Sequence, residues 1–156
     1  MLSRISLFAA AAALLPASLG AQSAQPAIAD QSYAVPVGGT WTYAKTADGS
    51  EAAFVGASGL PQLVLHCTRN LRRVTISKPG ATAPYLQIWT SSDTRNLPAT
   101  FTPATARLSA SLASWDKLLD AMAMSRGRIA VSASGQPALV LPPWAEIGRV
   151  VEDCRV

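Results

Sequence analysis

A chain of 156 residues, 49% hydrophobic and 14% charged, is long enough for one domain with a real core and too short for two of ordinary size. Thirteen Lys and Arg against nine Asp and Glu give a formal charge of +4, which excludes an acidic, self-repelling disordered chain. One histidine and two cysteines exclude a cysteine-dense scaffold and make a poor donor set for a metal centre, which needs three or four convergent ligands.

Arg4 is the only charge before Asp30. The apolar run Ile5–Leu15 follows, then Pro16 and the small residues Ala17, Ser18, Leu19, Gly20 and Ala21. Basic, apolar, small is the layout of a secretory signal peptide, expected over residues 1–21 with cleavage after Gly20, Ala21 or Ala24. The apolar run is roughly 11 residues, against the ~20 that a membrane-spanning helix needs. No later stretch is longer and as apolar, so no transmembrane segment is expected after signal removal. The mature chain is expected to be periplasmic or secreted. Residues 22–37 carry Gln, Ser, Ala, Pro and Asp without a period and read as a disordered leader; 38–156 read as a single β-rich domain.

Thr40–Lys45 alternates, Ala47-Asp48-Gly49-Ser50 is a turn signal, and Glu51–Val55 follows, so the three predict a hairpin. After Gly56–Pro61 a strand is predicted over Gln62–Thr68, with Leu63, Leu65 and Cys67 on one face. Arg69-Asn70-Leu71 is a turn. Arg72–Lys78 alternates, with Val74 and Ile76 inward and Arg73, Thr75 and Ser77 outward. Tyr85–Thr90 sets Leu86 and Ile88 against Tyr85, Gln87 and Trp89. Ser91–Asn96 reads as a polar turn, Leu97–Pro103 as an extended stretch broken by prolines, and Ala106–Leu112 as another strand. Ser114 is the predicted cap of a short helix with Trp115, Leu118, Leu119 and Met122 on its apolar stripe. Arg128–Ala133 and Ala138–Leu141 read as a hairpin. Pro142-Pro143 open the last helix, whose stripe is Trp144, Ile147, Val151 and Cys154. The pattern predicts an α+β, mainly β fold. Its antiparallel strands would form a twisted sheet, a small sandwich or a partly open barrel, with two short helices in the C-terminal half.

Cys67 and Cys154 both fall on faces expected to be buried, and export places them in an oxidising compartment. They are expected to form a disulfide. Such a bridge closes almost ninety residues, which on chain-entropy grounds contributes about 4–5 kcal/mol.

Chemistry is sparse. His66 is the only histidine and reads as a partly exposed strand residue; there is no G-x-S-x-G nucleophile turn and no phosphate-cradling glycine pattern. No catalytic residue, metal or cofactor is assigned. Asp116 and Asp120 stand at helical i, i+4, which leaves a carboxylate-dependent hydrolase as an alternative reading. The basic residues say more. Arg69, Arg72 and Arg73 cluster at one turn and Arg126 and Arg128 at another, and arginine takes phosphate and carboxylate groups bidentately. If the outward face carrying Arg73 adjoins the one carrying Tyr85 and Trp89, the three form an open arginine–aromatic binding surface.

The runs Asp48–Phe54, Leu119–Arg128 and Leu141–Arg155 resemble a family of small exported proteins of alphaproteobacteria, a likeness that covers most of the mature chain and implies no activity. More distantly, an exported β-domain with a tryptophan in its first strand and a disulfide is similar in layout to the invasion-associated locus B family. Those proteins are periplasmic β-sandwiches, and the likeness carries no site residues over. The reading is an exported, non-catalytic domain that binds an anionic envelope component or another exported protein, with no nucleic-acid partner. A lysozyme-inhibitor-like role is a further alternative, disfavoured because common lysozymes are themselves strongly basic.

Overall fold

The computed structural model describes residues 27–80 and 82–156. The expected signal peptide and residues 22–26 lie outside them.

Ten strands among the described residues form two antiparallel sheets. β1 (Gly39–Lys45), β2 (Gly49–Gly56), β3 (Pro61–Thr68) and β4 (Arg73–Pro79) are successive neighbours. β8 (Arg107–Ala113) and β7 (Thr100–Thr102) complete a six-stranded sheet in the order β1-β2-β3-β4-β8-β7. β5 (Tyr85–Trp89), β6 (Thr94–Pro98), β9 (Ile129–Ala133) and β10 (Leu139–Leu141) form a four-stranded sheet, β10-β9-β5-β6. The sheets face each other and do not close, so the fold is the mainly β α+β class expected, realised as a sandwich. Helix α1 spans Lys117–Ala123 and helix α2 Ala145–Asp153.

Alternation fixed which side of each strand is inside. Leu63, Leu65, Val74, Ile76, Leu86, Ile88 and Val131 are fully buried in one core cluster. Ile147, Val150, Val151 and Cys154 of α2 join that cluster, and α2 packs on β1, β2 and β3. The small sheet therefore covers one half of the large sheet, and the helices cover the other.

Several boundaries differ from the sequence pattern. Ser91–Asn96 is not one turn. The turn is Thr90–Asp93, closed by Thr90 Oγ1 donating to Asp93 O at 2.8 Å, and strand β6 begins at Thr94. Its polar side chains have partners: Arg95 binds Asp93 and Asp116, and Asn96 Oδ1 accepts from Gln87 Nε2 at 3.0 Å. Only Ala99 separates β6 from β7, so one extended run leaves the small sheet and enters the large one.

The cap of α1 is Asp116, not Ser114; its carboxylate accepts from Leu118 N–H at 2.9 Å and is held by Arg95. Trp115 thus precedes the helix and is 64% exposed. Trp144 is likewise the residue before α2 and is exposed. Residues 27–37, expected as a disordered leader, touch the small sheet in the structure. Ile28 and Ala34 pack on Trp89, Ala130 and Val140. Val37 N–H donates to Val140 O at 2.9 Å, and Arg128 Nη1 donates to Ala34 O at 2.7 Å.

The β3–β4 and β7–β8 connections share one shape: a 3-10 turn ended by a left-handed residue, Arg72 (φ 48°) and Ala106 (φ 49°). An L-residue with a Cβ is disfavoured there by about 1 kcal/mol, and glycine is not. Ala106→Gly is expected to raise stability by roughly 0.5–1 kcal/mol in urea unfolding. A loss of stability would mean that the turn is not held in this conformation.

Candidate functional site

The disulfide is present. Cys67 and Cys154 are bonded with their Cα atoms 5.5 Å apart across 87 residues, and both are fully buried. It pins the end of α2 to β3 and so organises one corner of the molecule, because every basic residue of interest there lies close to a half-cystine in sequence. Arg69 follows Cys67 by two positions and Arg155 follows Cys154 by one. Cys154 Sγ lies 3.3 Å from Arg73 O.

The corner is built from three pieces. Arg69–Leu71 form the 3-10 turn after β3, and Arg72 reverses the chain into β4. Arg72 O accepts from Ser114 N–H at 2.8 Å, which sets the Leu71–Arg72 turn against the Ser114–Trp115 turn. Arg155 donates from Nε to Ser114 O at 3.0 Å and lays its guanidinium over the Trp115 ring, 4.8 Å from the centroid. Two large apolar side chains, Leu71 and Trp115, each 64% exposed, thereby stand on adjoining turns, one carrying Arg69 and Arg72 and the other stacked under Arg155.

Not all of that charge is free. Arg155 pairs with Asp120 at 2.8 Å and Glu152 at 3.3 Å. Arg69 donates to Asp153 O, and Arg73 donates to Ser111 Oγ and Ser111 O, each at 2.9 Å. Among the described residues, Arg69, Arg72 and Arg73 make no salt bridge within 4.0 Å. Arg73 is therefore fixed in direction by a neutral partner and keeps its charge, a preorganised donor for an anion. Nearby, the Tyr43 hydroxyl donates to Asp153 Oδ2 at 2.5 Å. That bond holds the Asp153 carboxyl below the usual carboxylate range and pushes the Tyr43 hydroxyl up. Asp153 is thus occupied by Tyr43, with Arg149 stacked on the tyrosine ring at 4.0 Å.

The surface expected from sequence is split. Arg73 lies on the outer face of the large sheet, opposite the inward Val74 and Ile76. Tyr85 and Trp89 lie on the outer face of the small sheet, opposite the inward Leu86 and Ile88. The two faces are on opposite sides of the sandwich, so the three residues do not adjoin. Trp89 is also only 8% exposed, because Ile28 and Ala34 lie across it. It lines a cleft of about 450 Å³ together with Gln87, Ser132 and Gln136, and no charged residue is among its walls. The aromatic residue set beside the arginine turn, by the Ser114 N–H bond to Arg72 O, is Trp115. Its signal in the sequence is Ser-Trp-Asp, in which Asp116 rather than Ser114 caps the helix and leaves the tryptophan outside.

Asp116 and Asp120 are each held by an arginine. Asp116 is bound by Arg95 and Leu118 N–H, and Asp120 by Arg155. His66 sits on the outer face of the large sheet between Asp48 (3.1 Å) and Glu51 (3.5 Å). Its hydrogen bond holds the Asp48 carboxyl below its usual range. Among the described residues no group of three or more His, Cys, Asp and Glu is placed to hold a metal ion, and no helix is long and apolar enough to cross a membrane.

No family model, curated protein or solved structure matches this chain.

Proposed function

We propose that this chain is an exported binding domain that takes an anionic component of the cell envelope at the corner formed by Arg69, Arg72, Arg73, Leu71 and Trp115. The observation that carries the reading is the adjoining of two turns: one bears three arginines that make no salt bridge among the described residues, and Leu71 and Trp115 stand on the pair with their large apolar side chains left in solvent. Guanidinium groups answer phosphate or carboxylate, and the leucine and tryptophan answer the apolar part of an amphiphile or the ring face of a sugar. Export is supported by the signal-like first 21 residues and by the buried disulfide, a bond that persists in oxidising compartments. An exported protein with an acidic surface would engage the same corner by charge.

The test is sedimentation of the oxidised mature protein with isolated envelope, with phosphatidylglycerol vesicles and with an acidic polysaccharide. Arg72→Glu combined with Trp115→Ala is expected to weaken binding by about tenfold or more, the equivalent of roughly 1.4 kcal/mol. Tyr85→Ala is expected to bind as the parent does. Equal binding by the Arg72/Trp115 variant, or binding to none of the three, rejects the corner as the site.

A further inference from the structure

At the end of the sandwich away from the disulfide, Lys78 is the last residue but one of strand β4. It follows Val74 and Ile76 on the inward side of the sheet, so its stem starts toward the small sheet and is half-buried. It opens on a cleft of about 290 Å³ whose other walls are Val37, Gln62, Pro79 and Leu139. Three of those walls are apolar, and none of the four is titratable. The strand partner of Lys78 on β8 is Leu108, again uncharged.

The ammonium is poorly matched to this setting. Lys78 is half-buried, and its Nζ donates to Pro79 O at 3.3 Å, a long bond to the next residue's own carbonyl. It makes no salt bridge among the described residues. Beside it, Gln62 Oε1 is buried without a hydrogen-bond partner. The nearest basic neighbour by register, Arg107, opposite Pro79, does not line the cleft: its Nη2 reaches Pro61 O at 3.4 Å, and its buried Nη1 has no hydrogen-bond partner. An ammonium in an apolar cleft lacks the hydration that an exposed lysine keeps, and an incoming anion would replace it.

We propose that this cleft is a second, separate binding site, for a monocarboxylate with a short apolar body. The carboxylate would accept from Lys78 Nζ, and the apolar part would lie on Val37, Pro79 and Leu139. A single ammonium matches a single negative charge. The cleft sits at the small end of the ~300–1,000 Å³ range of ligand pockets, so the body is a few carbons long. Burial pushes the Lys78 pKa down, the direction that desolvation gives an ammonium without a neighbouring carboxylate. Two sources carry this chemistry: a free short-chain acid, or the C-terminal carboxylate of a peptide ending in an apolar residue.

The chain has three lysines, Lys45, Lys78 and Lys117, and the other two are exposed. Reductive ¹³C-methylation of the oxidised protein therefore gives three lysine signals, and a Lys78→Arg variant identifies the one of interest. Hexanoate is expected to move that signal and leave the other two, with a Kd of about 1 mM or tighter by calorimetry. N-acetyl-Ala-Leu replaces hexanoate in a parallel titration, and hexan-1-ol and hexylamine are the uncharged and cationic controls. Lys78→Met, checked for folding by circular dichroism, is expected to weaken binding at least tenfold. Response to hexanoate alone supports a free acid, and stronger response to the dipeptide supports a C-terminus. The proposal is overturned if neither carboxylate moves the Lys78 signal, if hexan-1-ol or hexylamine binds as well, or if folded Lys78→Met binds hexanoate like the parent.

Discussion

Replacing Cys67 and Cys154 together by alanine is expected to cost about 4–5 kcal/mol of unfolding free energy, because the bridge removes the freedom of a loop of almost ninety residues from the unfolded chain. Both sulfurs are fully buried, so the two alanines also leave unfilled volume and add to the loss. Set against the roughly 5–15 kcal/mol that holds a domain together, the variant would be close to its stability limit. Alanine is the right replacement, since serine would bury two hydroxyls without partners. Urea unfolding of the oxidised parent, the reduced parent and the double variant measures the effect. A loss below about 1 kcal/mol would show that the loop is not closed in solution. The same variant tests the link to function. Arg155 and the end of α2 are held against the Arg72 and Ser114 turns by this bridge, so anion binding at the corner is expected to fall with the fold still present at low temperature.

Gly49→Ala is the single substitution expected to do most damage, at roughly 3 kcal/mol. Gly49 opens β2 opposite Thr68, and Ser50 pairs with Cys67. A Cβ on Gly49 would fall well inside van der Waals contact with the Cys67 carbonyl oxygen, 3.0 Å from its carbon and 3.2 Å from Sγ. The obstacle is backbone, and the backbone at Cys67 is tied to α2 through the disulfide, so it cannot move aside. Gly49 does not have the left-handed φ of a turn glycine. Gly38→Ala is the control: its Cβ meets nothing within 4 Å, and a change within about 0.5 kcal/mol is expected. Thermal and urea unfolding of the two variants side by side decide the matter. Equal midpoints would show that β2 and β3 approach less closely than this.

These two effects also mark how far the sequence could be read. Asp48-Gly49 signalled a hairpin, and the hairpin is there, with Thr46 N–H donating to Gly49 O at 3.1 Å. The need for glycine comes from Cys67, eighteen residues further along, and no local rule carries that. Similarly, Ser114 and Asp116 are both good helix caps. The choice fell to Asp116, which Arg95 of β6 binds, and with it Trp115 moved from an expected core stripe to the surface. The polar run Thr94–Asn96 became an edge strand because Asp93, Asp116 and Gln87 supply partners for its side chains.

By itself the sequence determined what depends on neighbours along the chain. Period-two alternation turned Val74, Ile76, Leu86 and Ile88 inward and Arg73, Tyr85 and Trp89 outward, since successive Cβ atoms of a strand point to opposite faces. The same periodicities placed Cys67 and Cys154 on buried faces, where they bond. Tertiary structure alone decided which outward faces share a side of the molecule. Alternation assigns each strand a face but not a sheet, and the chain crosses between sheets after β4, β6 and β8. Arg73 and Trp89 therefore ended on opposite surfaces, and Trp115 and Arg155, distant from the arginine turn in sequence, were brought to it by one hydrogen bond and one disulfide.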